Sequence, residues 1–369
     1  MDNFPGRLGL QQRVLPAYRA PFFDVLAKKC NGGLSIFAGK PLPVEQIPVV
    51  EALPSAHVYP AKNFNFMNPS SSFYQCWQAG ICSWLDEWRP DALVVEANPR
   101  FISTRCAIAR MHRSGLPVLG WGLGAPLPKG LLMSLPIKAR SRFLSSLDAM
   151  IAYSHRGAEE FQRAGFPPSR IFVALNAVAP RPERPPVLRS TEFDKRAIVL
   201  FVGRLQSRKR LDLLMYACAA MPDSIKPEVW IVGDGPAKEE FESVARQVYP
   251  GAKFLGARYG NDLIEIYNRA DLFVLPGTGG LAIQEAMAHG LPVIVAEGDG
   301  TQDDLVRSDN GWLVPASDLP ALIHSLQDAL NNPQELRQMG EASFRIVYEE
   351  ANIEKMVVVF LEALSSVIR

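Results

Sequence analysis

Three side chains in the second half of the chain have the types and spacing to hold a phosphorylated ligand: Arg204, Lys209 and Glu285. Two cations five residues apart can neutralise a diphosphate, and the Arg fork adds directional bonds. A carboxylate accepts hydrogen bonds from sugar hydroxyls. Glu285 lies within LFVLPGTGGLAIQEAMAHGLPVIV, residues 272–295. That stretch reads as strand, glycine turn, amphipathic helix, glycine stop and strand. Gly279 and Gly280 let the backbone bend into a helix start at Leu281, and Gly290 and Pro292 end the helix. The unpaired N–H groups and dipole of such a helix start seat phosphate. Glu285, about one turn further on, can reach ribose hydroxyls beyond it. The competing reading is an ordinary strand-to-helix corner, with Arg204 and Lys209 at a solvated helix entry and Glu285 an exposed helix residue.

These residues need a scaffold, and the pattern along the chain supplies one. Short apolar runs at 34–37, 92–95, 117–120 and 150–153 read as buried strands, with helices over 22–29, 74–87 and 104–113. Residues 179–186 contain four prolines, which exclude helix or central strand and mark a linker. A second series then begins, with strands at 197–202, 229–232, 254–255, 272–275, 293–295 and 311–314 and a helix over 211–220. Strands alternating with helices predict parallel α/β layers, here two similar Rossmann-type domains. Ligands in such sheets bind beyond the carboxyl ends of strands. The loops there carry Gly203 beside Arg204, the turn Gly233-Asp234-Gly235-Pro236, and a polar loop with Asp303 and Asp304. In the first half they are 16–19 with Tyr18 and Arg19, 98–100 with Asn98 and Arg100, and 120–124. His289 reads as a helix-end residue and Tyr267 as core packing.

The 369 residues are enough for two domains, and 48% hydrophobic content with 21% charged is that of a globular protein. The five cysteines and five histidines are scattered, with no C-x-x-C and no metal-ligand spacing, so reduced thiols in a cytoplasmic setting and no metal are expected. There is no apolar h-region near Met1 and no run as long as a membrane span. The net charge of +1 conceals an asymmetry: residues 1–180 carry 19 Lys+Arg and 11 Asp+Glu, a net +8, against 20 and 27, a net −7, in the remainder. A basic half suits an anionic partner such as a membrane surface or a phosphate-bearing acceptor. Residues 129–143 mix apolar bulk with Lys129, Lys138, Arg140 and Arg142 and can lie on anionic lipid. The apolar stretch at 64–67 can flank a lipid-bound acceptor.

In order, FVGRLQSRKRLD, WIVGDGP, ADLFVLPGTGGLAIQEAMAHGLPVI and NGWLVP resemble the retaining, nucleotide-sugar-dependent glycosyltransferases of family 4. Across about 120 residues of the second half the resemblance is specific; in the first half it is looser. QQRVLPAYRAPFFDVL and VVEANPR resemble segments of members that build surface glycans or glycolipids, and Asn176-Ala177 resembles the pair that precedes the family's linker. The resemblance implies the GT-B fold: an acceptor-binding Rossmann-like domain over 1–178, a donor-binding one over 179–349, an interdomain cleft, and a C-terminal helix at 350–369 packing back towards the first domain. It implies that Arg204 and Lys209 grip the donor diphosphate, that Glu285 binds ribose, and that Gly279, Gly280 and Leu281 contribute backbone to the donor site; Gly203 and Gly233 are further donor-site candidates from their loops, the turn at 233–236 reading equally as a plain turn. Tyr18, Arg19, Asn98 and Arg100 are the candidates for acceptor or sugar.

One position departs from the pattern. The family's first motif glutamate would stand eight residues before Glu285, where this chain has Gly277. The retaining mechanism implied works without a protein nucleophile and without metal: the leaving diphosphate takes the acceptor's proton, and Arg204 and Lys209 stabilise it. The donor is expected to be a UDP- or GDP-sugar and the acceptor a saccharide or lipid-linked sugar, with no cofactor and no nucleic acid. A peripheral position on the inner face of the plasma membrane is expected. Two alternatives stand beside this: a sugar-nucleotide epimerase, which the GRL-x3-K and QEAMA motifs argue against, and a sugar-nucleotide-binding protein whose transferase activity was lost with the glutamate.

Overall fold

The computed structural model describes residues 2–45, 47–69, 71, 73–125 and 134–368, with 134–138 through their backbone. The chain divides into two compact units, Met1–Pro180 with Ile353–Arg369, and Arg181–Asn352.

The first unit contains β1 (Leu8–Val14), α1 (Ala20–Lys28), β2 (Leu34–Gly39), β3 (His57–Pro60), β4 (Lys62–Phe66), β5 (Gln75–Ala79), α2 (Ile81–Trp88), β6 (Ala92–Glu96), α3 (Thr104–Arg113), β7 (Val118–Gly122), α4 (Ser134–Leu144), β8 (Ala149–Ala152), α5 (His155–Arg163) and β9 (Ile171–Val173). Seven strands form a sheet in the order β3-β2-β1-β6-β7-β8-β9, every pair parallel. The order reverses between β1 and β6, so the loops holding Tyr18 and Arg19, and Asn98 and Arg100, meet at the switch point where such sheets bind ligands. The expected loop at 120–124 is shorter, because β7 continues to Gly122 and pairs there with β8.

The expected helix over 74–87 is a strand followed by a helix. Residues 75–79 pair antiparallel with β4, placing Phe64 opposite Trp77. Cys76 and Gln78 are buried while Gln75 and Trp77 are exposed, a period of two that a helix cannot satisfy. The helix starts only at Ile81, after Gly80 at φ +89°.

The second unit contains β10 (Ile198–Val202), α6 (Leu211–Ala219), β11 (Glu228–Val232), α7 (Lys238–Val248), β12 (Lys253–Gly256), α8 (Gly260–Arg269), β13 (Leu272–Leu275), α9 (Leu281–Ala288), β14 (Val293–Ala296), α10 (Thr301–Leu305), β15 (Gly311–Val314), α11 (Leu319–Asn331) and α12 (Pro333–Glu349). Its sheet runs β12-β11-β10-β13-β14-β15, all parallel. Both faces of this sheet are covered, which is why its central strands are unbroken apolar runs such as LFVL and VIVA. The switch point lies between β10 and β13, whose following loops carry Arg204, Lys209 and the glycine turn. Residues 301–305 of the expected polar loop are helical and include Asp303 and Asp304.

A last helix, α13 (Ile353–Val367), belongs to the first unit. Its Phe360 lies 5.0 Å, ring centre to ring centre, from both Phe22 and Trp121. Ile353 N–H donates to the Ala179 carbonyl at 3.0 Å.

Candidate donor site in the second unit

The loop after β10 is built against its neighbours by backbone bonds. Leu205 N–H donates to the Asp234 carbonyl at 2.9 Å, and Ala237 N–H to the Leu205 carbonyl at 3.0 Å. A Cβ on Gly233 would overlap the Gly203 carbonyl, and one on Gly235 the Leu205 backbone. These glycines let the β10 and β11 loops close on one another. Gly233 has φ +139°, in the region that favours glycine. Arg204, at the exit of β10, is exposed.

A 3-10 turn at Ser207–Lys209 then presents Lys209 to the glycine loop before α9. Thr278 N–H donates to the Arg208 carbonyl at 3.1 Å, and Arg208 Nη1 donates to Thr278 Oγ1 at 3.1 Å. A Cβ built on Gly279 (φ +139°) would overlap Lys209 Nζ. The amine therefore lies in the notch the glycine leaves, at the approach to the α9 N-terminus. Lys209 is half-buried, and burial, with Arg208 as the lesser cause, pulls its pKa down to about 8. A desolvated cation beside a helix N-terminus gains from an anion placed between them. Gly280 is the N-cap of α9 and supplies no side-chain cap, and exposed Leu281 holds the first position; of the first-turn N–H groups, that of Ile283 donates to the Gly280 carbonyl at 3.1 Å.

Gly277 is buried. A Cβ there would collide with the Arg208 carbonyl and the Lys209 backbone. Position 277 therefore has no room for a side chain unless the 208–209 backbone moves.

Glu285 is half-buried one turn into α9, and the Tyr267 hydroxyl donates to its Oε2 at 3.3 Å. Burial raises the Glu285 pKa above the ordinary carboxylate value, and the Tyr267 bond pulls it back down. Tyr267 is fully buried in α8 and stacks on His289, 5.0 Å between centroids and 7° between planes. His289 Nδ1 shares a hydrogen bond with Asn268 Oδ1 at 3.1 Å. Sequence reasoning did not find this support for Glu285. Nor did it find Gln302, whose buried amide donates to the Gly279 carbonyl at 3.0 Å and fixes the glycine loop from α10. The only signals were a tyrosine late in α8 and a lone glutamine after a glycine run.

In the first unit, Tyr18 is exposed while Arg19 is buried. The Arg19 guanidinium lies 4.5 Å from the Trp121 ring centre, 5.1 Å from that of Tyr153 and 5.5 Å from that of Tyr18. Asn98 and Arg100 share the loop after β6, where Arg100 N–H donates to Asn98 Oδ1 at 3.1 Å. Among the described residues no group of three or more His, Cys, Asp or Glu is placed to hold a metal, and no helix is long and apolar enough to cross a membrane.

A parallel sheet in Rossmann order, with a cationic, glycine-lined notch at its switch point, makes the second unit a Rossmann-type α/β domain. Residues 187–345, within the second unit, match the family described as "Glycosyl transferases group 1". The chain is 35% identical over 161 residues to a GDP-mannose-dependent alpha-mannosyltransferase of Mycobacterium tuberculosis, covering 43% of this chain and 40% of that protein. It is 30% identical over 157 residues to the sulfoquinovosyl transferase SQD2 of Arabidopsis thaliana, covering 40% of this chain and 29% of that one. The chain thus spans less than half the length of these curated relatives. Over its whole length it shares the GT-B fold with solved structures. Anabaena Alr3699/HepE in complex with UDP superposes with a TM-score of 0.69 at 16% identity, covering 98% of this chain and 99% of that one. The lipopolysaccharide outer core galactosyltransferase WaaB superposes with a TM-score of 0.68 at 18% identity, covering 98% and 100%.

Proposed function

We propose that the protein is a retaining glycosyltransferase that moves a sugar from a nucleotide-diphosphate sugar to a saccharide or lipid-linked acceptor, in the synthesis of a surface polysaccharide or glycolipid. The observation that carries this reading is the Lys209 amine lodged in the Gly279 notch before α9, with Glu285 one turn further along. The diphosphate would lie between Lys209 and the α9 N-terminus, with Arg204 as a second, outer cation. Glu285, oriented by Tyr267, would accept hydrogen bonds from the ribose hydroxyls. As the bond from the sugar's anomeric carbon to the diphosphate breaks, negative charge grows on the leaving oxygen, where Lys209 and the helix N–H groups stabilise it. The acceptor hydroxyl attacks the same face of the sugar, and its proton passes to the departing diphosphate. No step uses a side chain at position 277 or a metal. A UDP- or GDP-sugar fits the reading, since the relatives above include a GDP-mannose-dependent enzyme and a protein crystallised with UDP.

Release of nucleoside diphosphate from a panel of UDP- and GDP-sugars, with and without a chelator, tests the proposal. Release that survives chelation is expected, with the anomeric configuration of the product kept. Tight nucleotide binding with no turnover for any donor and acceptor pair would favour a binding protein instead, a reading that Gly277 keeps in view.

We also propose that the basic first unit rests on anionic lipid. Residues 129–133 of the sequence segment behind this idea lie outside the described residues; Arg140 and Arg142 stand on α4. Salt-sensitive sedimentation with anionic vesicles is the expected result, since each surface Lys or Arg contributes on the order of 1 kcal/mol. No sedimentation at low salt would rule it out.

A further inference from the structure

The first unit holds a cavity of about 440 Å³ at the ends of β6 and β7, bordered by Glu96, Asn98, Arg100, Trp121, Arg140 and Tyr153. Its chemistry is unbalanced towards hydrogen-bond donors. Arg100 and Arg140 both line it, and Arg140 is near enough to feel the other's charge: burial first and Arg100 second lower its pKa, and Glu160 opposes them. Behind the two aromatic walls lies Arg19, a third guanidinium, packed against the Trp121 and Tyr153 rings. Its Nη1 and the Trp121 indole nitrogen are buried donors with no hydrogen-bond partner among the described residues. Guanidinium and indole groups can only donate. The guanidinium groups that line the cavity itself, those of Arg100 and Arg140, suit a ligand rich in acceptor oxygens.

Two carboxyl groups stand against these cations, Glu160 beside Gly124 and Glu96 at the end of β6. Burial pushes the Glu96 pKa up to about 7, against the pull of the Arg13 backbone and of the Arg13 and Arg19 charges. Near neutrality it therefore carries a proton part of the time and can itself donate.

We propose that this cavity takes the acceptor by an anionic substituent, a phosphoryl or carboxylate group on a sugar, gripped by Arg100 and Arg140. This rests on the glycosyl-transfer reading and narrows its acceptor to a charged one. Arg19 then acts from behind the wall. A cation held behind Trp121 and Tyr153 raises the positive potential inside the cavity, where water screens it less than at the surface.

Calorimetry on the full chain with three probes, glucose 6-phosphate, glucuronate and glucose, tests the proposal. At least one anionic probe should bind about tenfold or more tightly than glucose, as charge-assisted bonds to a guanidinium pair imply. Glucose 6-phosphate and glucuronate tell a phosphoryl ligand from a carboxylate one. The advantage should shrink as salt rises and vanish in Arg140→Gln and in Arg100→Gln. Arg100 is exposed, which makes its variant the safer one for folding. No advantage of either anion over glucose, absence of binding included, overturns the proposal, as does an advantage that survives in both variants. The probes carry no nucleotide. UDP and GDP binding, measured on the same samples, reports separately on the second unit, and the thermal unfolding profile of each variant reports on the folding of the first.

Discussion

The Tyr267 hydroxyl reaches Glu285 from a different helix, 3.3 Å from Oε2. The tyrosine is fully buried and pinned by its stack on His289, so the carboxylate is aimed by a rigid donor. Tyr267→Phe keeps the ring and removes only this bond. Nucleoside-diphosphate affinity should fall about fivefold, matching the ~1 kcal/mol of a typical hydrogen bond. The loss should deepen in acid. The Glu285 pKa lies above its ordinary value and the Tyr267 bond holds it down, so without that bond the carboxylate protonates at higher pH. Calorimetry at pH 5.5 and pH 8 checks this; identical affinities for the two proteins at both values would sink the aiming role.

Lys209 should give donor binding a basic limb. With its pKa near 8 in the free protein, the ammonium disappears as pH rises through that value. Nucleoside-diphosphate affinity should decline between pH 7 and pH 9.5, and Lys209→Ala should be weaker throughout and flat over the same range. The sign for stability is opposite. A lysine whose folded pKa is depressed binds fewer protons folded than unfolded between about 8 and 10.5, so this residue's contribution to stability improves as pH rises through that window. In turnover, Lys209→Ala should lose on the order of 100-fold or more if it meets charge on the leaving group. A variant that turns over normally at both low and saturating donor would remove Lys209 from the reaction.

Restoring the family's glutamate should do harm. In Gly277→Glu the new Cβ meets the Arg208 carbonyl and the Lys209 backbone, so the 208–209 turn must move and take Lys209 with it. Overpacking of this kind costs about 1–3 kcal/mol. Both melting temperature and nucleotide affinity should drop. A variant as stable as the parent and faster in turnover would show that the space exists after all.

Arg189 is the anchor of the segment that leads into the second unit. Its guanidinium donates to the carbonyls of Ala270 at 2.8 Å, Tyr267 at 2.9 Å, His289 at 3.0 Å and Gly290 at 3.2 Å. These are carbonyls at or just past the ends of α8 and α9, where helix acceptors lack partners and a cation is favoured. Arg189→Ala should destabilise the protein by about 3 kcal/mol, the scale of losing charged hydrogen bonds and leaving buried acceptors unmatched. Urea unfolding measures it; a loss well below the ~1 kcal/mol of a single bond would contradict the anchoring role.

The central strands of both sheets are readable because burial on two faces leaves an unbroken apolar run, as in residues 272–275 and 293–295. The β4–β5 hairpin is not. Its strands are polar on one side, and residues 75–79 run directly into a true helix, so a single helical period can be drawn through both. Lys209 and Glu285 are visible as residue types after strand ends. What holds them is not. The overlap of position 279 with the lysine amine, the crowding at Gly277 and the Tyr267 bond all join segments 18 to about 70 residues apart, by contacts that leave no periodicity to read. Arg19 reads as a cleft residue from its place after β1, but that place does not reveal that aromatic rings surround its guanidinium.

The route of the chain sets an order of assembly. α13 comes last in the sequence, yet its Phe360 fills the space between Phe22 and Trp121 at the heart of the first unit. During synthesis that core therefore waits, missing one wall, while all of 181–352 emerges. The second unit has everything it needs earlier, so the half made later is the one that can close first, reversing the usual order from the amino terminus. A chain ending at residue 352 would carry all of the second unit beside a first unit whose aromatic cluster is uncovered.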